Sequence, residues 1–166
     1  MKKKIYAIRP DPNGWRTLED GQKIKLGDKV RISENVSLGS GVVVGNGVTL
    51  GTSDEYECDR ETLIDDRVVL GDNVFVGNWS LLFTEVAVGN DTVISTETLL
   101  GASVKAGKRV KLMRWVQVGT STGIGDQVTL AAGVVIGDNW VISDGVTIGK
   151  GARERAKGIK RETANC

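Results

Sequence analysis

The chain has 166 residues, enough for one domain, and its 22 basic against 21 acidic side chains leave a net charge of +1, which gives a polyanion such as nucleic acid nothing general to hold. Histidine is absent, so an imidazole base, a histidine-ligated zinc and a serine–histidine–aspartate relay are excluded. Glycine fills 22 positions and proline only 2; a glycine share of about 13 per cent against an ordinary ~7 per cent, with no matching proline, is not a disordered-linker composition.

At the start, Met1 to Lys4 is followed only by the apolar run Ile5 to Ile8 before Arg9 and Pro10, too short for a secretory signal. No later stretch approaches the ~18 apolar residues of a membrane span. Cys58 and Cys166 are too few for a disulfide framework or a Cys-x-x-Cys knuckle. A soluble, cytoplasmic protein with free thiols and neither membrane nor nucleic-acid partner is expected. Residues 1–23 read as an N-terminal cap, with Trp15 following the turn-forming Asp11-Pro12-Asn13-Gly14.

Aliphatic residues then recur every six positions: Leu26, Ile32, Leu38, Val44 and Leu50, and after a break Ile64 and every sixth residue to Ile148. The position two before each lead is β-branched, with Ser80 and Trp140 as exceptions. Inward positions at a spacing of two define a strand, so each hexad is a short strand and a corner. Glycine follows the lead in 13 of the 20 hexads, where tight turning and close rungs favour a residue without Cβ. Three hexads make a triangular turn of 18 residues that stacks on the next, predicting an all-β parallel solenoid of about 6 to 7 turns over residues 24–152.

Residues 52–63 break the hexads and shift their phase by two, so they are expected to leave the column as an extruded loop. Its acidic side chains Asp54, Glu55, Glu57, Asp59 and Glu61 suit a lid or partner-contacting arm, or a solvated insertion. Beyond it, the outward residues before the leads are unexpectedly apolar: Val69, Phe75, Leu81, Val93 and Leu99. The 18-residue turn puts Phe75 under Val93 and Leu81 under Leu99. Trp79 and Trp115 lie two turns apart on one edge, about 9.6 Å from each other, with Glu97 between them, while Phe83 and Met113 replace the usual small residue after a lead. Together Phe75, Trp79, Leu81, Phe83, Val93, Leu99, Met113 and Trp115 are expected to form a subunit interface, with a ligand-stacking edge or corner packing as alternatives. Trp140, at an inward position, is expected to plug the end of the column. Asn and Asp in the repeated Gly-Asp-Asn corners are explained by turn chemistry, and no metal is expected. Residues 153–166, with Arg153, Arg155, Lys157, Lys160 and Arg161 against Glu154 and Glu162, read as a basic tail or short helix.

The hexads resemble the hexapeptide-repeat family, whose members form left-handed parallel β-helices and are commonly trimeric acyltransferases, with γ-class carbonic anhydrases as relatives. Over residues 24–152 the resemblance implies a left-handed β-helix, a homotrimer, a small-molecule ligand between subunits and acetyl-CoA or another acyl-CoA as substrate. The family's catalytic and metal-binding histidines have no counterpart here, which removes the carbonic anhydrase reading. Acyl transfer then needs an amine that arrives deprotonated or a carboxylate base, for which Glu85 and Glu97 are the corner candidates. The stretch Leu130 to Val135 resembles the small-residue turn over which related transferases lay the pantetheine arm of CoA, making Ala131, Ala132 and Gly133 candidate cofactor contacts; the usual proline-containing exit loop is missing. Two functions therefore stand. The favoured one is a noncatalytic trimeric binding or scaffold module without a cofactor, and the alternative is an acyltransferase acting on a small amine or sugar-nucleotide acceptor without a histidine base.

Overall fold

The computed structural model describes residues 9–18, 20–33, 35–51 and 67–149 with their side chains, and Ile159–Arg161 as backbone. Every lead position among the described residues is buried, Leu50, Leu82, Ile94, Leu100, Leu112 and Leu130 completely so. The β-branched partners two residues earlier, such as Val48, Val74, Val104, Val110, Val116 and Val128, are fully buried as well. Strands of two to four residues cannot close a core alone, and the chain solves this by stacking them. Each fully buried aliphatic contributes about 1.5–3 kcal/mol, which offsets the ordering of the described residues around this one core.

Three parallel sheets form the faces of the column. The first face contains Lys23–Leu26, Val42–Val44, Phe75–Val76, Val93–Ile94, Lys111–Leu112, Thr129–Leu130 and Thr147–Ile148; the second contains Arg31–Ile32, Thr49–Leu50, Leu81–Leu82, Leu99–Leu100, Gln117–Val118 and Val135–Ile136. The third contains Val36–Leu38, Val68–Leu70, Ala87–Val88, Lys105–Ala106, Gly123–Ile124 and Trp140–Ile142. The register is the one the hexads require, for Val93 pairs with Phe75 and Lys111, and Leu99 with Leu81 and Gln117. Across the break in the repeat Val43 pairs with Phe75 and Thr49 with Leu81, so the offset between rungs grows there from 18 to 32 residues while the faces continue. Asp54, Glu55, Glu57, Asp59 and Glu61 lie outside the described residues.

At each end one of the three faces is extended by an antiparallel strand, which pairs backbone groups that an open edge would expose. Trp15–Thr17 lies against Lys23–Leu26, after a turn in which the Asn13 and Trp15 amides donate to Asp11 Oδ1 at 2.8 and 2.9 Å. At the other end Ile159–Arg161 pairs with Trp140–Ile142. A strand therefore stands inside the segment read from sequence as a helix or tail; its neighbours in 153–166 lie outside the described residues. Trp140 is half-buried and packs on the core. No helix of the described residues is long and apolar enough to cross a membrane.

Turning and close approach, both assigned above to the glycine after the lead, fall to different positions. The left-handed turn comes three residues after the lead, and among the described residues twelve that are not glycine adopt it, including Trp79 at φ 57°, Glu85 at 57°, Glu97 at 59° and Trp115 at 62°. Each such residue costs about 1–2 kcal/mol, offset by an amide bonded to the rung before, as from Trp79 to the Asn46 carbonyl at 2.9 Å. The glycine after the lead serves the close approach. A Cβ on Gly39 would stand 2.6 Å from Asp72 Oδ1 and 2.7 Å from the Asp72 nitrogen. That Asp72 oxygen instead accepts the Ser40 amide at 2.8 Å. The same interlock joins Gly107 with Asp126, whose Oδ1 accepts the Lys108 amide at 2.8 Å, and Gly119 with Asp138, whose Oδ1 accepts the Thr120 amide at 2.7 Å. The Asp and Asn corner residues thus bind backbone amides of the neighbouring rung, a more specific role than turn tolerance.

Candidate functional site

Two outer features of the column gather aromatic, charged and hydroxyl side chains, and both come from corner positions. The corner joining the first and second faces stacks Lys29, Gly47, Trp79, Glu97, Trp115 and Gly133, each successive amide bonding to the rung before it. Trp79 and Trp115 are 61% and 53% exposed. The Trp79 ring lies over Gly47. Trp115 Nε1 donates to Glu97 Oε2 at 2.6 Å, and the Arg114 guanidinium sits 5.3 Å from the Trp115 ring centroid. Phe75 and Val93 flank this edge on the first face and are exposed, Met113 is exposed beside Trp115, and Leu81 and Leu99 flank it half-buried on the second face. Seven of the eight residues read as an interface are therefore one contiguous surface. Phe83 is not part of it: it leads into the next corner, on the far side of the second face.

That next corner, between the second and third faces, stacks Glu85, Ser103, Ser121 and Asn139. Here the Ser103 hydroxyl donates to Glu85 Oε2 at 2.5 Å. A trough of about 400 Å³ is lined by Arg67, Val69, Glu85, Val86, Ala87, Ser103 and Lys105. It continues into about 380 Å³ lined by Ser103, Lys105, Ser121, Thr122, Gly123 and Val141. Its floor is small because Ala87 and Gly123 share the outward column of the third face with Lys105, and a Cβ on Gly123 would meet nothing within 4 Å.

The two carboxylates singled out from sequence are thereby separated in kind. Glu97 is tied to an indole on the aromatic edge, whereas Glu85 faces a trough with a hydroxyl and two cationic side chains on its wall. Ala131, Ala132 and Gly133 lie on the first corner, where the Gly133 amide bonds to the Arg114 carbonyl at 3.0 Å. They are on a different edge and rung from Glu85, so one chain does not bring the proposed base and the proposed cofactor turn together. The sequence reading missed Arg67, Ser103, Lys105, Ser121 and Gly123. Their signal was the 18-residue spacing of Ser103 and Ser121 beside small outward residues. Among the described residues no group of three or more acidic or cysteine side chains could hold a metal ion.

No known protein-family pattern and no curated protein sequence matches the chain. Solved structures do. The fold is similar to the UDP-N-acetylglucosamine acyltransferase of Francisella novicida, with a TM-score of 0.61 and 18% identity over 78% of this chain and 56% of that one. It is also similar to a hexapeptide transferase family protein of Anaplasma phagocytophilum, with a TM-score of 0.57 and 17% identity over 87% and 82%. The fold is the hexapeptide-repeat left-handed β-helix. A third solenoid with this likeness is PerB of Caulobacter crescentus, solved with CoA and GDP-perosamine, at a TM-score of 0.50 and 17% identity over 84% of this chain and 57% of that one. The present chain spans little more than half the length of the Francisella and Caulobacter proteins.

Proposed function

We propose that this hexapeptide-repeat solenoid is an acyltransferase that moves an acyl group from a CoA thioester to an amine or hydroxyl of a sugar-nucleotide acceptor, with Glu85 in place of the absent histidine. The observation carrying the reading is the Glu85 carboxylate, which holds the Ser103 hydroxyl at 2.5 Å in a trough walled by Lys105. An acceptor N–H or O–H entering at the Ser103 position gives its proton to Glu85 as its heteroatom attacks the thioester carbonyl carbon. The C–S bond then breaks, and the CoA sulfur leaves as thiolate and takes up the proton. Lys105 supplies positive charge for the phosphates of the donor or acceptor, and the small floor at Ala87 and Gly123 admits an extended arm. The solved acyltransferase and the CoA complex among similar folds support this direction. The same proposal makes the protein a cytoplasmic homotrimer, with Leu81, Leu99 and Phe83 of the second face available for subunit contact; light scattering should give a trimer mass that Leu99→Lys lowers. The test of activity is CoA release with acetyl-CoA and amino-sugar nucleotides. Glu85→Gln is expected to lower turnover by about 10²–10⁴-fold at an unchanged thermal midpoint, and equal turnover would end the assignment.

A second reading is favoured by the lack of histidine together with the exposed Trp79–Trp115 edge: a noncatalytic module that presents this edge, and the acidic segment 52–63, to partners. Acetyl-CoA titration separates the two, since only the transferase gains thermal stability at submillimolar ligand.

A further inference from the structure

We infer that the corner carrying Trp79, Glu97 and Trp115 is a binding platform for an extended β-linked pyranose chain, a site distinct from the Glu85 trough and independent of the acyl-transfer reading. Large apolar side chains that serve the core of this fold point inward and are buried. These two indoles are instead more than half exposed, on a position whose left-handed backbone favours small residues. Each leans back over the rung before it, Trp79 onto Gly47 and Trp115 toward Glu97, so both are held in the same sense along one straight edge.

The spacing follows from the fold. Each rung advances ~4.8 Å, so indoles two rungs apart are about 9.6 Å apart. In an extended β-1,4-linked chain every second pyranose presents the same C–H-rich face to the same side, at a repeat close to that distance. Two sugars could thus lie on the two indoles, which lean to the Gly47 and Glu97 rungs, while the ring between them passes over the Trp79 rung. Glu97 Oε2 is engaged by Trp115 Nε1; its other oxygen and the Arg114 guanidinium beside Trp115 are an acceptor and a donor set for the hydroxyls of the sugar stacked on Trp115. Charge narrows the choice of ligand. A carboxylate held against the Trp115 indole repels a phosphodiester backbone, which also stacks on aromatics but requires a cationic track. A neutral glycan has no such conflict.

The test is tryptophan fluorescence and calorimetric titration of the intact chain with cellohexaose, with maltohexaose and a thymidine oligonucleotide as comparisons. Cellohexaose should shift the emission and bind, and maltohexaose, whose coiled chain does not present alternate rings along a line, should bind at least tenfold more weakly. By analogy with base stacking at about 1–3 kcal/mol per ring, Trp79→Ala and Trp115→Ala should each weaken cellohexaose binding by at least about fivefold, with circular dichroism and thermal midpoint unchanged. Trp115→Ala combined with Gly133→Trp moves the second indole one rung onward and should not restore binding. The inference is overturned if cellohexaose does not bind, if the oligonucleotide binds in its place, if restoring an indole at position 133 restores affinity, or if Trp79→Ala and Trp115→Ala convert an oligomer to monomers, which would make the edge a subunit contact.

Discussion

Adding one methyl group at two glycines four residues apart should move stability in opposite directions. At Gly119 a Cβ would stand 2.6 Å from the Gly137 carbonyl carbon and 2.7 Å from the Asp138 nitrogen, and would press on Asp138 Oδ1. Two of these three neighbours are backbone in a hydrogen-bonded rung, with the Gly119 amide itself bonded to the Ile136 carbonyl at 2.9 Å. They cannot rotate aside, so rungs must part. The cost belongs with overpacking, about 1–3 kcal/mol. At Gly123 the same Cβ would meet nothing within 4 Å, and the residue is not among those with positive φ. Alanine there should stabilise by about 0.4–1 kcal/mol, because it restricts the unfolded chain. For a chain of this size 1 kcal/mol moves the midpoint by about 2–4 °C, so the two variants should differ by roughly 3–16 °C. Thermal and urea unfolding followed by circular dichroism would measure it. Equal midpoints would refute the argument that the glycine after the lead exists for close approach between rungs.

Four further outcomes follow from the same geometry. Asp126→Ala removes the acceptor of the Lys108 amide and should cost about 1–2 kcal/mol in urea unfolding, whereas Asp126→Asn, which keeps a carbonyl oxygen, should lose much less. Thr92 is fully buried, accepts the Val110 amide at 3.2 Å and donates to the Gly107 carbonyl at 3.1 Å; Thr92→Val should cost about 1–3 kcal/mol by orphaning both, despite being nearly isosteric. Leu100→Ala empties a fully buried site and should lower stability by about 2–5 kcal/mol. Arg114→Ala should red-shift or reduce the Trp115 emission with little change in unfolding midpoint, since a cation over an exposed ring contributes only about 0.5–1 kcal/mol.

The column was legible in sequence because a solenoid repeats one local solution. The lead residue and its β-branched partner meet the same environment in each hexad, so period and register can be read from Leu26 to Ile148 without knowing any long-range contact. Stacking of Phe75 with Val93 and of Leu81 with Leu99 followed from counting eighteen. Corner chemistry was read less well. From sequence alone the frequent glycine looked like the turning residue, and only the backbone showed the turn two positions later, at residues as unlike as Trp79, Ser103 and Asn139. The strand Ile159–Arg161 was hidden for another reason: it belongs to no hexad, and its hydrogen bonds come from an edge, Trp140–Ile142, left open by the repeat itself.

The site shows the same division. Sequence determined that no imidazole exists, that Glu85 and Glu97 stand at corners and that two tryptophans share an edge, since each depends only on composition and on position within a fixed period. Tertiary structure decided that Glu85 joins Ser103 and Lys105 along a trough while Glu97 joins Trp115, and that Ala131 to Gly133 lie on a different edge from Glu85. Those outcomes depend on which two faces meet at a corner and on how far each side chain leans toward the next rung. A one-dimensional pattern has no term for either.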